Sequence, residues 1–371
     1  MTANLRLAAG SMLVVGLSGA ELTDLERAWL KLVQPAGIIL FRRNIVDAAQ
    51  TRSLLSEATS SCTPHSFRCV DVEGGSVDRL RDGLAPLPSA QAVFRAAMAI
   101  GKPSLIREHG ELVARAVKAF GFNTTLAPVL DLAQPASAQV MGTRAAASTV
   151  EGVIEYGRNF LLGLRAHGVV GCGKHFPGLG GGTLDSHLET PAIQRTMNEL
   201  NREDLAPFRE LRDQMPMIMV NHAAYPNTPS RERPASVSAF WITNILRKQI
   251  GYRGIVFSDD LEMGGILKFL SIEEAVIAAV RAGMDLMEIC HSPELILRAY
   301  ESLIREAERS KAFRDLLAAR ARETSQKRRR LFSGKPSAAL SMRQLEALRM
   351  RIRRLSQTVA SAQPATETQS A

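Results

Sequence analysis

The chain has 371 residues, 46% hydrophobic and only 5% aromatic, so a large core is possible and must be packed mainly by Leu, Val, Ile, Ala and Met. The net charge of +9 invites a nucleic-acid reading, but residues 311–354 hold 14 Lys and Arg against 3 Asp and Glu, a net +11 that leaves −2 for the rest. No run of roughly 18 apolar residues occurs, which excludes a spanning helix.

In chain order, Leu5 and Arg6 precede an apolar stretch, Leu7 to Leu17, followed by Ser18-Gly19-Ala20. This imitates a short signal peptide, but a first buried strand fits the spacing to the next element better. Short apolar runs then alternate with longer segments of helical period. Strand Met12–Leu17 precedes helix Leu22–Val33, and strand Gly37–Phe41 precedes helix Ala48–Ala58. Strand Phe67–Val72 is followed by helix Ser104–Phe120, strand Thr124–Leu132 by helix Val150–Ala166, and strand Val169–His175 by helix Glu199–Arg212. Strand Met217–Asn221, helix Ala239–Gln249, strand Ile255–Ser258, helix Ile272–Ala282 and strand Asp285–Ile289 complete the series. Gly121, Gly168, Gly251 and Gly283 stand where helices should end in the left-handed conformation. Eight such units in series predict an α/β fold of the TIM (β/α)8 type, one closed parallel barrel rather than an open sheet. Two further helical stretches, Glu294–Glu308 and Ala312–Leu331, follow. The expected organisation is a barrel over 1–310, a basic helical extension over 311–355 and a disordered Ser/Thr/Gln/Ala-rich tail over 356–371. The run Lys327-Arg328-Arg329-Arg330 reads as a solvated helix face, with an anionic membrane surface or nucleic acid as the alternatives. Cys62, Cys69, Cys172 and Cys290 show neither CxxC pairing nor metal-ligand spacing and read as reduced thiols of a cytoplasmic protein.

In such a barrel, chemistry belongs to the C-terminal ends of the strands. The third strand ends in Asp71-Val72-Glu73-Gly74-Gly75, the fourth runs through Asp131 and the fifth ends in Lys174-His175-Phe176-Pro177-Gly178. The sixth ends at Asn221-His222 and the seventh in Ser258-Asp259-Asp260, whereas the strand starts are plain. After the fifth strand comes Gly178-Leu179-Gly180-Gly181-Gly182-Thr183-Leu184-Asp185-Ser186-His187, a glycine-rich loop suited to a lid that carries a catalytic group. A phosphate cradle is the weaker reading, because no Gly-Lys-Ser/Thr follows. Asp185, two residues from His187, could orient its imidazole and raise its basicity. An ordinary loop histidine, or a metal site formed by Asp185, His187, His175 and His222, stays open on spacing alone.

Lys174-His175-Phe176-Pro177-Gly178, Asp185-Ser186-His187 and Phe257-Ser258-Asp259-Asp260-Leu261 resemble glycoside hydrolase family 3. The subgroup resembled is the bacterial β-N-acetylglucosaminidases of cell-wall recycling. Supporting strings are Gly37-Ile38-Ile39-Leu40-Phe41, Val70-Asp71-Val72-Glu73-Gly74-Gly75, Ala127-Pro128-Val129-Leu130-Asp131 and Ala282-Gly283-Met284-Asp285, in that order over about residues 12–295. The resemblance implies a retaining mechanism with Asp259 as nucleophile and His187, held by Asp185, as proton donor and acceptor. It further implies that Asp71, Arg79, Arg144, Lys174 and His175 hydrogen-bond the sugar and that Met263 lies beside it. The chain departs from the pattern at Leu179, Ser76 and Ala145 and in the run Gly180-Gly181-Gly182. The length matches family members without a second domain, whose substrates are N-acetylglucosamine–anhydromuramic acid fragments.

No metal and no organic cofactor is implied, and a cytoplasmic monomer without an obligate nucleic-acid partner is expected. The alternatives are a phosphorylase or broader β-glycosidase, a metal-dependent barrel hydrolase, and a non-catalytic sugar- or nucleic-acid-binding module using the basic tail.

Overall fold

Short runs of apolar and β-branched residues, buried on both faces, form the strands of a parallel sheet that must be covered inside and out. A computed structural model describes residues 2–181, 191–334 and 338–362, with side chains from residue 5 onward. Its eight barrel strands are β1 Leu13–Gly16, β2 Gly37–Leu40, β3 Phe67–Val70, β4 Thr124–Thr125, β5 Val170–Phe176, β6 Met217–Val220, β7 Ile255–Asp260 and β8 Leu286–Ile289. They close in the order β1-β8-β7-β6-β5-β4-β3-β2, every pair parallel. The interior is filled by Val14, Ile39, Phe67, Cys69, Leu126, Cys172, Met217, Met219, Phe257, Leu286 and Cys290. Side chains alternate across a strand with period two, so the inward face continues from Cys69 to Asp71, Cys172 to Lys174, Phe257 to Asp259 and Leu286 to Glu288. The apolar layers thus give way to ionisable groups at the C-terminal mouth.

Most helix ends are set by side-chain caps. Thr23 and Glu26 form a capping box at the start of Asp24–Val33, as do Ser271 and Glu274 for Ile272–Ala282. Gly121, Gly168, Gly251 and Gly283 adopt φ values of 90°, 67°, 79° and 108°, the left-handed closures expected of them. The four cysteines are free; Cys69, Cys172 and Cys290 are buried.

Several segments differ from expectation. Residues Thr2–Gly10 form a helix before β1, and Ala90–Ala99, capped by Ser89, forms another where none was predicted. The fourth strand is a regular ladder only at Thr124–Thr125. Pro128 has no N–H to offer, yet the chain stays beside β5 through Cys172 N to Ala127 O (2.8 Å), Lys174 N to Pro128 O (3.1 Å) and Leu130 N to Lys174 O (2.6 Å). The single helix expected over Glu199–Arg212 is two short ones, Met197–Arg202 and Leu205–Glu210. Pro207 interrupts the pattern, since its ring clashes with the carbonyl four residues back. Residues Phe240–Gln249 wind as a π-helix.

The basic C-terminal segment is not a simple solvated face. In the helix Lys311–Leu331, the residues Phe313, Leu317, Ala321, Thr324 and Arg328 form a buried stripe at helical spacing. Arg328 donates to Thr63 Oγ1 (2.6 Å) and Ala36 O (3.2 Å), and Lys327 donates to Asp285 Oδ2 and Gly254 O, both at 3.0 Å. Half of the basic run therefore anchors the helix to the strand starts, while Arg329 and Arg330 are exposed. The next helix, Met342–Ser361, buries Leu348, Ile352, Leu355 and Val359 against Ala90–Ala99 and Ser104–Ala119. It runs past residue 356, where the polar tail was expected to begin. Residues 363–371 lie outside the described residues.

Candidate active site

The mouth of the barrel is organised by one buried ionic network. Asp71 follows β3 directly, and the chain then turns back as the hairpin Val72–Gly74/Val77–Asp78. Gly74 has φ 89°, and a Cβ there would meet Pro88 O at 2.1 Å, so only glycine fits this turn. The turn presents Glu73 to two cations. Arg144 donates to it twice, Nε to Oε2 and Nη2 to Oε1, each at 2.8 Å, and Lys174 Nζ lies 2.6 Å from Oε1. Lys174 also donates to Asp71 Oδ1 at 2.9 Å, and Arg79 stands 4.0 Å from the same carboxylate. Burial alone would raise the pKa of Glu73, but Lys174 and Arg144 outweigh it and hold the carboxyl well below the usual range. Burial likewise works against the charged forms of Lys174 and Arg144, and the carboxylates facing them push both pKa values up.

His175 is fixed by Asp131. Its Nδ1 donates to Asp131 Oδ2 at 2.7 Å and its backbone N–H to the same oxygen at 3.1 Å, while Leu179 N donates to Oδ1 at 2.7 Å. This directs Nδ1–H to Asp131 and places Nε2 3.4 Å from Arg144 Nη2. Tyr225 donates to Gly178 O (2.7 Å), so the root of the glycine-rich loop is tied to the sixth unit.

The seventh strand carries Asp259 to the same mouth, and its carboxylate accepts the N–H of Asp260 at 3.0 Å. Burial pushes the pKa of Asp259 up, but His175, His222 and Lys174 together hold it below the ordinary aspartate value. Asp260, by contrast, is raised to about 7 by burial and by Glu262. Asp71, Arg79, Arg144, Lys174, His175, Met263 and Asp259 line one cavity of about 310 Å³, together with Leu179, Phe41, Glu288 and His291. Leu179, an apolar departure from the family pattern, thus forms part of the cavity wall.

Asp185 and His187 lie outside the described residues, as do Thr183, Leu184 and Gly182. His222 has both ring nitrogens in protein hydrogen bonds, to Ser236 Oγ at 2.7 Å and Asp260 O at 2.9 Å. It therefore braces the end of β7 and does not offer a metal-ligand atom to the set considered from spacing. Among the described residues, Asp260, Glu262 and His291 bring ligand atoms within 4.8 Å of one another. Glu262 is already engaged, accepting the backbone N–H groups of Cys290, His291 and Ser292, and Asp260 accepts the Glu262 N–H. Sequence reasoning passed over Glu73, Asp131 and Glu288 as individual site residues. The period-two alternation of the strands was the signal that could have found Glu288.

A cavity of ionised and hydrogen-bonding groups at the C-terminal mouth of a closed (β/α)8 barrel defines a barrel enzyme. The chain belongs to glycosyl hydrolase family 3: the family's N-terminal domain matches residues 5–322, and the protein is a glycoside hydrolase. It is 38% identical over 287 residues to a beta-hexosaminidase of Thiobacillus denitrificans, covering 76% of this chain and 79% of that one. It is 36% identical over 295 residues to a beta-hexosaminidase of Haemophilus influenzae, covering 79% and 83%. Among solved structures it is similar to NagZ from Neisseria gonorrhoeae in complex with N-trifluoroacetyl-D-glucosamine, with TM-score 0.75, 29% identity and coverage of 95% and 98%. A family 3 beta-N-acetylglucosaminidase from a Paenibacillus species superposes with TM-score 0.83 at 31% identity, covering 95% of this chain and 68% of that one.

Proposed function

We propose that this protein is a retaining exo-β-N-acetylglucosaminidase that removes terminal N-acetylglucosamine from muropeptide fragments in cell-wall recycling. The observation that carries the reading is Asp259: a buried carboxyl whose pKa its neighbours hold below the ordinary value, in one cavity with Asp71, Arg79, Arg144, Lys174 and His175. The names of the relatives supply the substrate class. Lys174, Asp71, Arg79, Arg144 and His175 would bind the sugar's hydroxyl and acetamido groups, and Met263 would pack beside the ring.

In the first step an Asp259 oxygen attacks the anomeric carbon, the glycosidic C–O bond breaks, and the leaving oxygen takes the proton of the His187 imidazolium, oriented by Asp185. In the second, water attacks that carbon and gives its proton to the imidazole, and the ester to Asp259 breaks. Two displacements at one carbon retain the β configuration. No helix among the described residues is long and apolar enough to cross a membrane. The reading assigns the enzyme to the cytoplasm as a monomer.

The test is hydrolysis of an aryl β-N-acetylglucosaminide by the wild type, Asp259→Ala and His187→Ala. Wild type should release the β-anomer first. Asp259→Ala should be inactive, and His187→Ala should keep measurable activity only with good leaving groups, which need little proton donation. Full activity of Asp259→Ala removes the assignment, and N-acetylglucosamine 1-phosphate appearing with added phosphate makes the enzyme a phosphorylase.

A further inference from the structure

One buried carboxyl in the cavity has no role in the chemistry above. Glu288 projects from β8 on the face that carries Leu286 into the barrel interior. It lines the site cavity alongside the apolar side chains of Leu126 and Met219. The residue is 2% exposed, and its Oε1 has no hydrogen-bond partner among the described residues. Its charged surroundings are Asp260, Asp71 and Asp259 against the single ammonium of Lys174. A buried carboxyl with an open oxygen, set among like charges, destabilises the fold that holds it. Glu73, by contrast, has both carboxylate oxygens in ion pairs with Arg144 and Lys174. Oε1 itself is closed to solvent, but the Glu288 side chain lines the cavity that holds Asp259.

We propose that Glu288 is a sugar-contacting residue, whose carboxyl hydrogen-bonds one hydroxyl of the ring seated against Asp259. Burial and the three neighbouring carboxylates keep it protonated, so it is the donor in that bond. Asp71 and Glu73, both ion-paired to Lys174, are acceptors, so Glu288 gives the cavity a neutral acid facing the sugar from the barrel floor. The inference rests on the glycosidase reading and adds a determinant of sugar recognition to it.

The test is a cycle of Glu288→Leu and Glu288→Gln against an aryl β-N-acetylglucosaminide and its 3-, 4- and 6-deoxy analogues, measuring kcat/KM and melting temperature. Wild type should lose about 10- to 100-fold on one deoxy analogue, the size expected for one lost hydrogen bond in a closed site. Glu288→Leu should lose a similar factor on the parent sugar and almost nothing more on that analogue, while Glu288→Gln, which still donates, should fall only a few-fold. Glu288→Leu should also melt higher than wild type, because an apolar side chain of similar size replaces an unpaired buried acid. Equal loss on all four sugars, no loss on any, or a lower melting temperature with uniform loss overturns the proposal. If wild type hydrolyses none of them, the glycosidase reading fails by itself. The same cycle read as Kd for free N-acetylglucosamine and its deoxy forms still decides Glu288.

Discussion

Asp131 holds His175 at two points, accepting the imidazole Nδ1–H at 2.7 Å and the backbone N–H at 3.1 Å. It is one carboxylate, with no exposed side-chain surface, setting both the ring and the peptide that carries it. Its other oxygen takes Leu179 N at the root of the glycine-rich loop, so His175 and the loop share one support.

Asp131→Asn keeps the volume but replaces one acceptor by a donor facing N–H groups. We expect kcat/KM to fall about 100-fold through misplacement of His175, with stability lower by roughly 2–3 kcal/mol. Steady-state kinetics with thermal melts check this; unchanged kinetics in a destabilised variant would mean Asp131 serves folding alone.

Glu73→Gln removes the charge on which Arg144 and Lys174 converge. Leaving those buried cations short of a partner should cost about 3–5 kcal/mol at neutral pH and raise KM more than it lowers kcat. The pKa of Glu73 is depressed in the folded state, so its stabilisation is complete above the ordinary glutamate value of 4.5 and is lost as pH falls below it. The stability gap between wild type and variant should therefore narrow in strong acid, which denaturant titrations across pH measure.

Asp260 titrates the other way. Its pKa is raised to about 7 from the ordinary aspartate value of 3.8, so between these values the unfolded chain gives up a proton that the folded chain keeps. Wild type should thus lose stability as pH rises from about 4 to 7, on the order of 3–4 kcal/mol. Asp260→Asn can still accept the Glu262 N–H and should flatten that slope, matching wild type at pH 4 and exceeding it at pH 8. A variant that tracks wild type across the range would show that Asp260 ionises normally.

The basic run separates into structural and solvated members. Arg328→Ala should destabilise by about 3 kcal/mol, because it empties a packed site and removes the donor to Thr63 Oγ1. Arg329→Ala and Arg330→Ala should stay within about 0.5 kcal/mol of wild type. Chemical denaturation of the three single variants distinguishes a buried anchor from a cationic surface; equal small effects would contradict the burial of Arg328.

The barrel was legible because its signals are local. Apolar runs at strand length, helical periodicity between them and glycines such as Gly283 at helix ends are each written within a few residues. Errors arose where a local signal was broken by something equally local but misjudged, as at Pro207, or where polar composition hid an amphipathic stripe, as in Met342–Ser361. The seven site residues outside the glycine-rich loop were found from strand ends and motif likeness.

The sequence by itself determined the family, the barrel and many of the residues at its mouth, because strand period and short motifs constrain which side chains share a face and an end. Only the tertiary structure decided how those residues are wired: that Glu73 joins Arg144 to Lys174, that Asp131 sets His175, that Lys327 and Arg328 grip the strand starts. Each of these pairs joins residues far apart in sequence, and their charge states depend on burial and on neighbours from other strands. No local pattern encodes either, since both arise only when the barrel closes.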